Sequence, residues 1–268
     1  MNRLAPKIMI RARRFEIKVQ QIRNATLIVE YAGKRFLIDP LLADKGTCPP
    51  FPNSLRQDQF NPLVSLPVSI EDLVRVDAVI LTHLHPDHFD DAAKEVLPKD
   101  IKLFVQDEVD AKEVRNTGFR NVEVLQEDTV FEGIRLTKTK GQHGRGEILK
   151  LAGNMCGVVF NHLNEKTLYV AGDTVWYEAV QDTIVTHKPE VIVVNGGDNQ
   201  FYGSGSLIMG KADIYEVHKV APKSKIVVSH MEAVNHWTLS RNELKSFIDE
   251  KEISASVLVP DDGESYTF

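Results

Sequence analysis

The chain has 268 residues, of which 43% are apolar and 26% charged, a composition typical of a globular protein with a sizeable core. Its longest aliphatic runs are strand-sized, far below the roughly 20 residues that cross a bilayer, so no membrane association is expected. A net charge of −6 offers no overall basic surface, and nucleic acid is not an expected partner.

The compartment is predicted from the amino terminus and the cysteines. Basic residues occur at 3, 7, 11, 13 and 14, but the apolar stretch of a secretory signal is missing. Cys48 and Cys156 are the only cysteines, so no disulfide framework is implied. These features predict a cytoplasmic protein.

The predicted elements begin with a three-strand meander over 15–19, 25–31 and 35–38, which ends at Asp39-Pro40. A proline-rich connection over 42–66, here called the pocket-wall loop, is a candidate wall of a substrate pocket because such long connections are usually functional. Helices and strands then alternate. Further strands are predicted at 77–81, 102–105, 122–125, 134–137, 156–160, 167–170, 190–194, 225–228 and, last, 255–259. Helices are predicted from Ser69, near 91–96, up to Arg115, near 212–220, and from the capping box of Ser240 and Glu243.

Two halves of the chain each combine a meander with mixed helices and strands. This arrangement predicts an α/β protein with an αββα four-layer sandwich, in which two mixed sheets pack together with helices outside. No linker or change of composition divides the chain, so one domain is expected over 1–268.

The most informative segment, residues 82–90, reads THLHPDHFD and directly follows an apolar strand. It places His83, His85, Asp87 and His88 within six residues, and imidazole and carboxylate groups are the ligands of borderline metals such as zinc. On an irregular loop, His83 with His85 can face one ion while Asp87 with His88 faces a second.

Three later residues complete a candidate ligand set. His143, Asp173 and His230 lie in turns or directly after apolar strands, where side chains converge on a cleft. Each alone is more often a solvated or hydrogen-bonded residue. Their occurrence as a set after the THLHPDHFD segment favours metal binding.

This ordered series resembles the metallo-β-lactamase superfamily over most of the chain. The resemblance implies one metal on His83, His85 and His143, a second on Asp87, His88 and His230, and Asp173 as the bridge. It also implies that Asp39 supports the centre from behind. Because it has aspartate at the bridging position, where the true β-lactamases have cysteine, the chain resembles the hydrolase branches of the superfamily. These include lactonases, thioesterases, phosphodiesterases and processing ribonucleases.

Within those branches the chain most resembles the L-ascorbate-6-phosphate lactonase-like group. The resemblance rests on Asp39-Pro40-Leu41, on Ala-Gly-Asp-Thr around Asp173, and on the segment VPDDGE at 259–264. That group usually carries a His-Met pair before its last helix and strand, whereas Ile208-Met209 stands here. Substrate identity therefore does not follow from the resemblance.

Several other residues have both a functional and a plain interpretation. His236 either contacts substrate or donates a proton, or it packs. Trp176 either lines the pocket or belongs to the core. Tyr202 and Ser204, with Asp198, either bind substrate oxygens or form a flexible turn. The glycines of 196–205 lack the context of a dinucleotide fingerprint, and His162, His187 and His218 belong to no ligand series.

The expected function is hydrolysis of a small ester, lactone or phosphoester by water activated between two divalent ions, with zinc favoured and manganese or iron as alternatives. Asp87 would orient the water and receive its proton, and His236 would assist the leaving group. The alternatives are a phosphodiesterase or ribonuclease, a non-catalytic metal-binding sensor, and an oxygen-reducing di-iron protein, whose usual flavin domain has no room here. The expected partner is a small-molecule substrate, and a homo-oligomer is possible.

Overall fold

A computed structural model describes residues 16–268, so the basic amino-terminal residues and the predicted start of the first strand at Phe15 lie outside the described residues. The described strands are β1 (Lys18–Arg23), β2 (Thr26–Tyr31), β3 (Lys34–Ile38), β4 (Ala78–Ile80), β5 (Lys102–Val105), β6 (Val122–Val124), β7 (Thr129–Phe131), β8 (Ile134–Lys140), β9 (Cys156–Asn161), β10 (Leu168–Val170), β11 (Val191–Asn195), β12 (Gln200–Phe201), β13 (Gly205–Ser206), β14 (Lys225–Ser229), β15 (Val257–Leu258) and β16 (Ser265–Thr267). The α-helices are α1 (Ile70–Leu73), α2 (Asp91–Val96), α3 (Glu108–Asn116), α4 (Leu149–Ala152), α5 (Glu178–His187), α6 (Lys211–Val220) and α7 (Arg241–Glu250).

Two seven-stranded mixed sheets form the centre of the fold. The first has the order β16-β1-β2-β3-β4-β5-β6 and the second β15-β14-β11-β10-β9-β8-β7. In each sheet an antiparallel meander continues into parallel strands, with β3 to β6 parallel in the first and β10, β11, β14 and β15 in the second. The short β12-β13 hairpin stands apart from both.

Three apolar clusters separate the layers. The middle cluster joins the inner faces of the two sheets and contains Phe36, Phe104 and Phe160, whose strands belong to different sheets. Another cluster covers the outer face of the first sheet with α1, α2 and α3, and the third covers the second sheet with α5, α6 and α7. Since strands alternate their side chains between faces, central strands such as β9 contribute to two clusters. The predicted sandwich with helices outside is confirmed.

Most predicted elements are present, but several elements of the structure were not predicted. Helix α5 was not predicted, because its second half, Thr183 to Thr186, consists of β-branched residues that favour strands. Strand β16 follows the segment predicted as the last strand, and it pairs with β1. The short β7, α4 and the β12-β13 hairpin were also missed. The capping box of Ser240 and Glu243 is present as predicted.

No helix within residues 16–268 has the length and apolar character needed to span a membrane.

The carboxyl ends of the parallel strands position the candidate site. Strands β3 and β4 end side by side, which brings Asp39 close to Thr82. Strands β10, β11 and β14 likewise run in one direction, so the segments that follow them emerge at one edge. The two edges meet, and the predicted metal ligands lie between them.

Candidate metal centre

The THLHPDHFD segment leaves β4 as a tight loop that leads into α2. The amide of His88 donates to the carbonyl of His85 at 2.8 Å, which turns the chain within the motif. Asp90 then caps α2 by accepting from the amide of Ala93, and its second oxygen accepts from the amides of Leu42 and Ala43. The loop is therefore held at both of its ends.

The second sheet supplies the remaining candidates. His143 follows β8, Asp173 follows β10, and His230 directly follows β14. His230 has a left-handed backbone with φ of 60°, a conformation that is costly for a residue other than glycine and is concentrated at functional sites. Its amide donates to the carbonyl of Asn24 at 2.8 Å.

All seven predicted ligands converge, six of them buried and His85 partly exposed. Asp173 Oδ2 lies 3.1 Å from His88 Nε2, 3.5 Å from His143 Nε2 and 4.0 Å from His83 Nε2. On the other side, His230 Nε2 lies 3.2 Å from His88 Nε2 and 3.3 Å from Asp87 Oδ2. Three sets of ligand atoms lie close enough to share an ion: His83, His85 and His143; His83, His88 and Asp173; and Asp87, His88 and His230.

The electrostatics of the cluster favour a bound cation. Burial and the neighbouring imidazoles hold the pKa of His83 well below its usual value, so this ring is neutral and able to offer Nε2. Burial acts to lower the pKa of His88, but Asp173 and Asp39 raise it well above its usual value, which indicates a centre that attracts positive charge. Within the described residues, neither Asp87 nor Asp173 forms an ion pair with lysine or arginine.

The residues present therefore fit a metal centre. His83 Nε2 is buried without a hydrogen-bond partner, an arrangement that is costly unless another species occupies the space in front of it. The donor set of imidazoles and carboxylates is that of zinc, manganese or iron. The number and identity of the ions stay a prediction.

Asp39 lies directly behind the centre, where the resemblance placed it. Its Oδ2 lies 2.9 Å from His88 Nδ1 and accepts from the Thr82 hydroxyl at 2.7 Å, while Oδ1 accepts from the Thr82 amide. Because a carboxylate can only accept, His88 must carry its proton on Nδ1. That leaves Nε2 free as a metal ligand.

Sequence reasoning missed two asparagines that support the ligands. The amide of Asn195, the last residue of β11, donates to Asp173 Oδ1 at 2.6 Å. Asn24, in the turn between β1 and β2, donates to the carbonyl of Asp87 and lies 3.2 Å from its carboxylate. The only sequence signal for Asn195 was its position directly after the predicted strand at 190–194, and Asn24 had no comparable signal.

A cavity of about 580 Å³ opens over the centre. Its floor includes His85, Asp87, His143 and Asp173, and its walls carry many apolar side chains. The full lining is Phe51, Pro52, Asn53, His85, Pro86, Asp87, His143, Glu147, Ile148, Leu151, Ala152, Asp173, Phe201, Tyr202, Gly203, Ser204, Leu207 and His236. Thus the pocket-wall loop does line the cavity, as predicted, and none of the described lining residues is lysine or arginine.

His236 forms part of the cavity wall beside the centre. Its ring stacks on Phe201 at 5.4 Å and meets Phe51 edge-on at 4.7 Å. Asn199 Nδ2 lies 3.1 Å from His236 Nε2, and because Nδ2 only donates, the ring proton belongs on Nδ1. Burial lowers the pKa of His236 to about 4, so at neutral pH the ring is uncharged.

Asn235 fastens the pocket-wall loop beside His236. Its Oδ1 accepts from the amide of Phe51 and from Asn61 Nδ2, and its Nδ2 donates to the carbonyls of Phe51 and Leu55 and to Ser54 Oγ. Every one of these bonds joins the 231–239 segment to the 51–61 segment. The position of Phe51 against His236 therefore depends on Asn235.

The other sequence candidates divide between the cavity and the rest of the fold. Tyr202 and Ser204 line the cavity, whereas Asp198 accepts a hydrogen bond from Gln200 at 3.1 Å. Trp176 packs against the apolar cluster of the second sheet. His162, His187 and His218 belong to none of the metal-compatible groups of the described residues.

A family described as "Beta-lactamase superfamily domain" matches residues 34–231 of the chain. The UPF0173 protein YddR of Bacillus subtilis is 68% identical over 254 residues, which are 94% of this chain and all of that protein. A UPF0173 metal-dependent hydrolase of Koribacter versatilis is 24% identical and covers 87% of this chain and 92% of its own. These relatives do not distinguish a lactonase-like group, so that finer prediction stays untested.

Two solved structures are similar along nearly their whole length. An isothiocyanate hydrolase from Delia radicum gut bacteria is 46% identical, has a TM-score of 0.90, and covers 94% of this chain and 99% of its own. A possible metal-dependent hydrolase from Veillonella parvula is 39% identical, has a TM-score of 0.92, and covers 95% of this chain and 100% of its own.

Proposed function

We propose that this chain hydrolyses small uncharged electrophiles, with isothiocyanates as the first candidate. The premise is that the chain belongs to the β-lactamase superfamily domain family and is a metal-dependent hydrolase. The observation that carries this proposal is the cavity, whose floor holds the ligand cluster and whose walls offer apolar side chains. The similar isothiocyanate hydrolase supports the choice of the first candidate.

The charge of the lining disfavours the phosphoesters considered from sequence. Metal ions bind one edge of a phosphate group, and arginine or lysine usually binds its other oxygens. The described lining contains neither arginine nor lysine, and Glu147 adds a negative charge, so a phosphoester would depend on the ions alone. The same argument disfavours phosphodiester or RNA cleavage. Neutral lactones and carboxylic esters remain compatible with the cavity.

We further propose that two divalent ions occupy the centre, with His83, His85 and His143 on one, Asp87, His88 and His230 on the other, and Asp173 between them. When bound, they would supply an activated water and withdraw electrons from the substrate. Zinc is the first choice for this nitrogen-rich set. Asp87 would orient this water and accept its proton.

For an isothiocyanate the reaction is R–N=C=S + H₂O → R–NH₂ + O=C=S. The water oxygen bonds to the central carbon, the carbon–nitrogen bond breaks, and both water protons end on nitrogen. His236 is uncharged at neutral pH, so its proposed role is a hydrogen bond to the substrate instead of transfer of a proton from a cationic ring.

The test is a substrate panel with purified protein reconstituted with zinc, manganese or iron. It contains alkyl and aryl isothiocyanates, a neutral lactone, a carboxylic ester, a phosphomonoester and a phosphodiester, with amine, acid or phosphate release as the readout. We expect kcat/KM for a neutral substrate to exceed that for either phosphoester by roughly 100-fold or more, the scale on which a missing charged partner is felt. Metal-free protein is the control.

Preferred turnover of a phosphoester would contradict the proposed substrate class. Two bound metals without turnover of any panel member would favour the sensor alternative. The single domain, the cytoplasmic location and a homo-oligomer stay predictions.

A further inference from the structure

Two large apolar side chains at the cavity are unusually open to solvent. Leu151 is 83% exposed and Tyr202 is 62% exposed, yet both line the cavity. A single exposed leucine is common on protein surfaces, and Leu163 is 95% exposed outside the cavity lining. What distinguishes Leu151 and Tyr202 is that both line the cavity above the ligand cluster.

The two residues belong to separate walls. Leu151 lies on α4, which follows a 3₁₀ turn at 146–148 and is flanked by Gly146 and Gly153, both with positive φ and open space around them. Tyr202 lies at the tip of the β12-β13 hairpin, where its amide donates to the carbonyl of Asn53 at 2.8 Å. The wall that carries Leu151 thus lies between two glycines, and the wall that carries Tyr202 is hydrogen-bonded to the pocket-wall loop.

The walls of the cavity are more apolar than its floor. His143 and Asp173 lie at the floor, while Ile148, Leu151, Phe201 and Tyr202 lie on the walls, where Glu147 and Ser204 are also present. A substrate with a small polar reactive group and an apolar substituent would match this order. Its reactive carbon would approach the ligand cluster, and its substituent would cover Leu151 and Tyr202 from water.

We propose that Leu151 and Tyr202 are specificity-determining residues that bind the apolar substituent of the substrate. This inference rests on the proposed function for the identity of the reactive group. Binding of the apolar substituent by Leu151 and Tyr202 does not depend on which neutral electrophile reacts. Burial of one methylene group corresponds to about a fourfold gain in binding. Substrates with longer alkyl groups should therefore be preferred until the substituent extends beyond the two residues.

The experiment uses the metal-loaded protein and the n-alkyl isothiocyanates from methyl to hexyl. We expect kcat/KM to rise by about fourfold per methylene over part of the series. In Leu151→Ser and Tyr202→Ser this increment should fall below about twofold for the longer members. Leu163→Ser is the matched control, because it removes another highly exposed leucine that does not line the cavity, and its increment should equal that of the wild type.

Binding of the unreactive n-alkylthioureas, measured by calorimetry, gives a readout that does not depend on turnover. We expect their Kd to decrease with chain length in the wild type and to lose that dependence in Leu151→Ser. Isothiocyanate turnover without chain-length dependence would overturn the inference while leaving the proposed function intact. If no panel member is turned over, the proposed function fails, and the thiourea binding then decides the inference alone. A Kd that decreases with chain length supports the inference, and a Kd that does not change with chain length overturns it.

Discussion

Replacing Asp39 by asparagine should weaken metal binding through the tautomer of His88. The carboxylate of Asp39 accepts three hydrogen bonds, from the Thr82 amide, the Thr82 hydroxyl and His88 Nδ1. Asparagine has only one acceptor oxygen. If that oxygen stays on the Thr82 amide, the side-chain NH₂ faces His88 Nδ1, and the ring proton moves to Nε2, where it blocks coordination.

The opposite amide orientation restores an acceptor for His88 but sets two N–H donors against each other at Thr82. Either orientation loses one hydrogen bond to a charged group, which is worth about 1.5–3 kcal/mol. At about 1.4 kcal/mol per factor of ten, we expect metal affinity to fall by roughly 10–100-fold.

The assay is competition for metal between the protein and a chromogenic chelator at constant pH. Asp90→Asn is a suitable control, because Asp90 is also buried in this loop but accepts from the backbone amides of Leu42, Ala43 and Ala93. An affinity for Asp39→Asn within about threefold of wild type would refute the argument. An equal loss in Asp90→Asn would show that general loosening of the loop is responsible.

Four further predictions concern the ligands, His236 and Asn235. His83→Ala, His85→Ala and Asp173→Ala should each lower bound metal below two per chain and abolish hydrolysis, because each removes a proposed ligand; two retained metals with full turnover would disprove the assignment. His236→Ala should keep its metals and lose roughly 10²–10³-fold in kcat/KM, the scale of one hydrogen bond lost in the transition state, whereas a change of only a few-fold would indicate a packing role. Burial lowers the pKa of His236 to about 4 in the folded chain, so as the pH falls from 7 to 5 only the unfolded chain protonates this ring. The free energy of unfolding should therefore fall by about 2 kcal/mol more in the wild type than in His236→Gln over this range. An equal pH dependence of the two free energies, measured by urea titration, would contradict this. Asn235→Ala should lower the free energy of unfolding by about 2–4 kcal/mol, since it strands several buried partners on the pocket-wall loop, and a loss below 1 kcal/mol would mean that water replaces them.

The part of the site that was predictable from sequence is local. Four candidate ligands occupy six residues after an apolar strand, so their chemistry is visible without knowledge of the fold. Their positions in turns or after apolar strands made His143, Asp173 and His230 candidate ligands. Assigning each of them to one of two ions required a family resemblance, because the sequence itself does not show which distant strand ends meet. The structure brings all seven together.

The supporting residues show where sequence reasoning ends. Asn195 reaches Asp173 only because β10 and β11 are parallel neighbours. Asn24 reaches Asp87 from the β1-β2 turn, although β3 lies between β2 and β4 in the first sheet. An isolated asparagine after a strand or in a turn is too common to indicate either contact. Helix α5 was missed for a different reason, since its packing against the second sheet outweighs the strand preference of Thr183 to Thr186.

The candidate ligands come from both sheets: the loop after β4 belongs to the first, and the segments after β8, β10 and β14 belong to the second. A bound ion therefore crosslinks the two halves of the sandwich, and its binding energy adds to the stability of the folded chain. At a free metal concentration 100 times Kd this contribution is about 2.7 kcal/mol per site. We accordingly expect a cell that is starved of the metal to contain less of this protein, because the ion-free chain unfolds more often and is degraded faster.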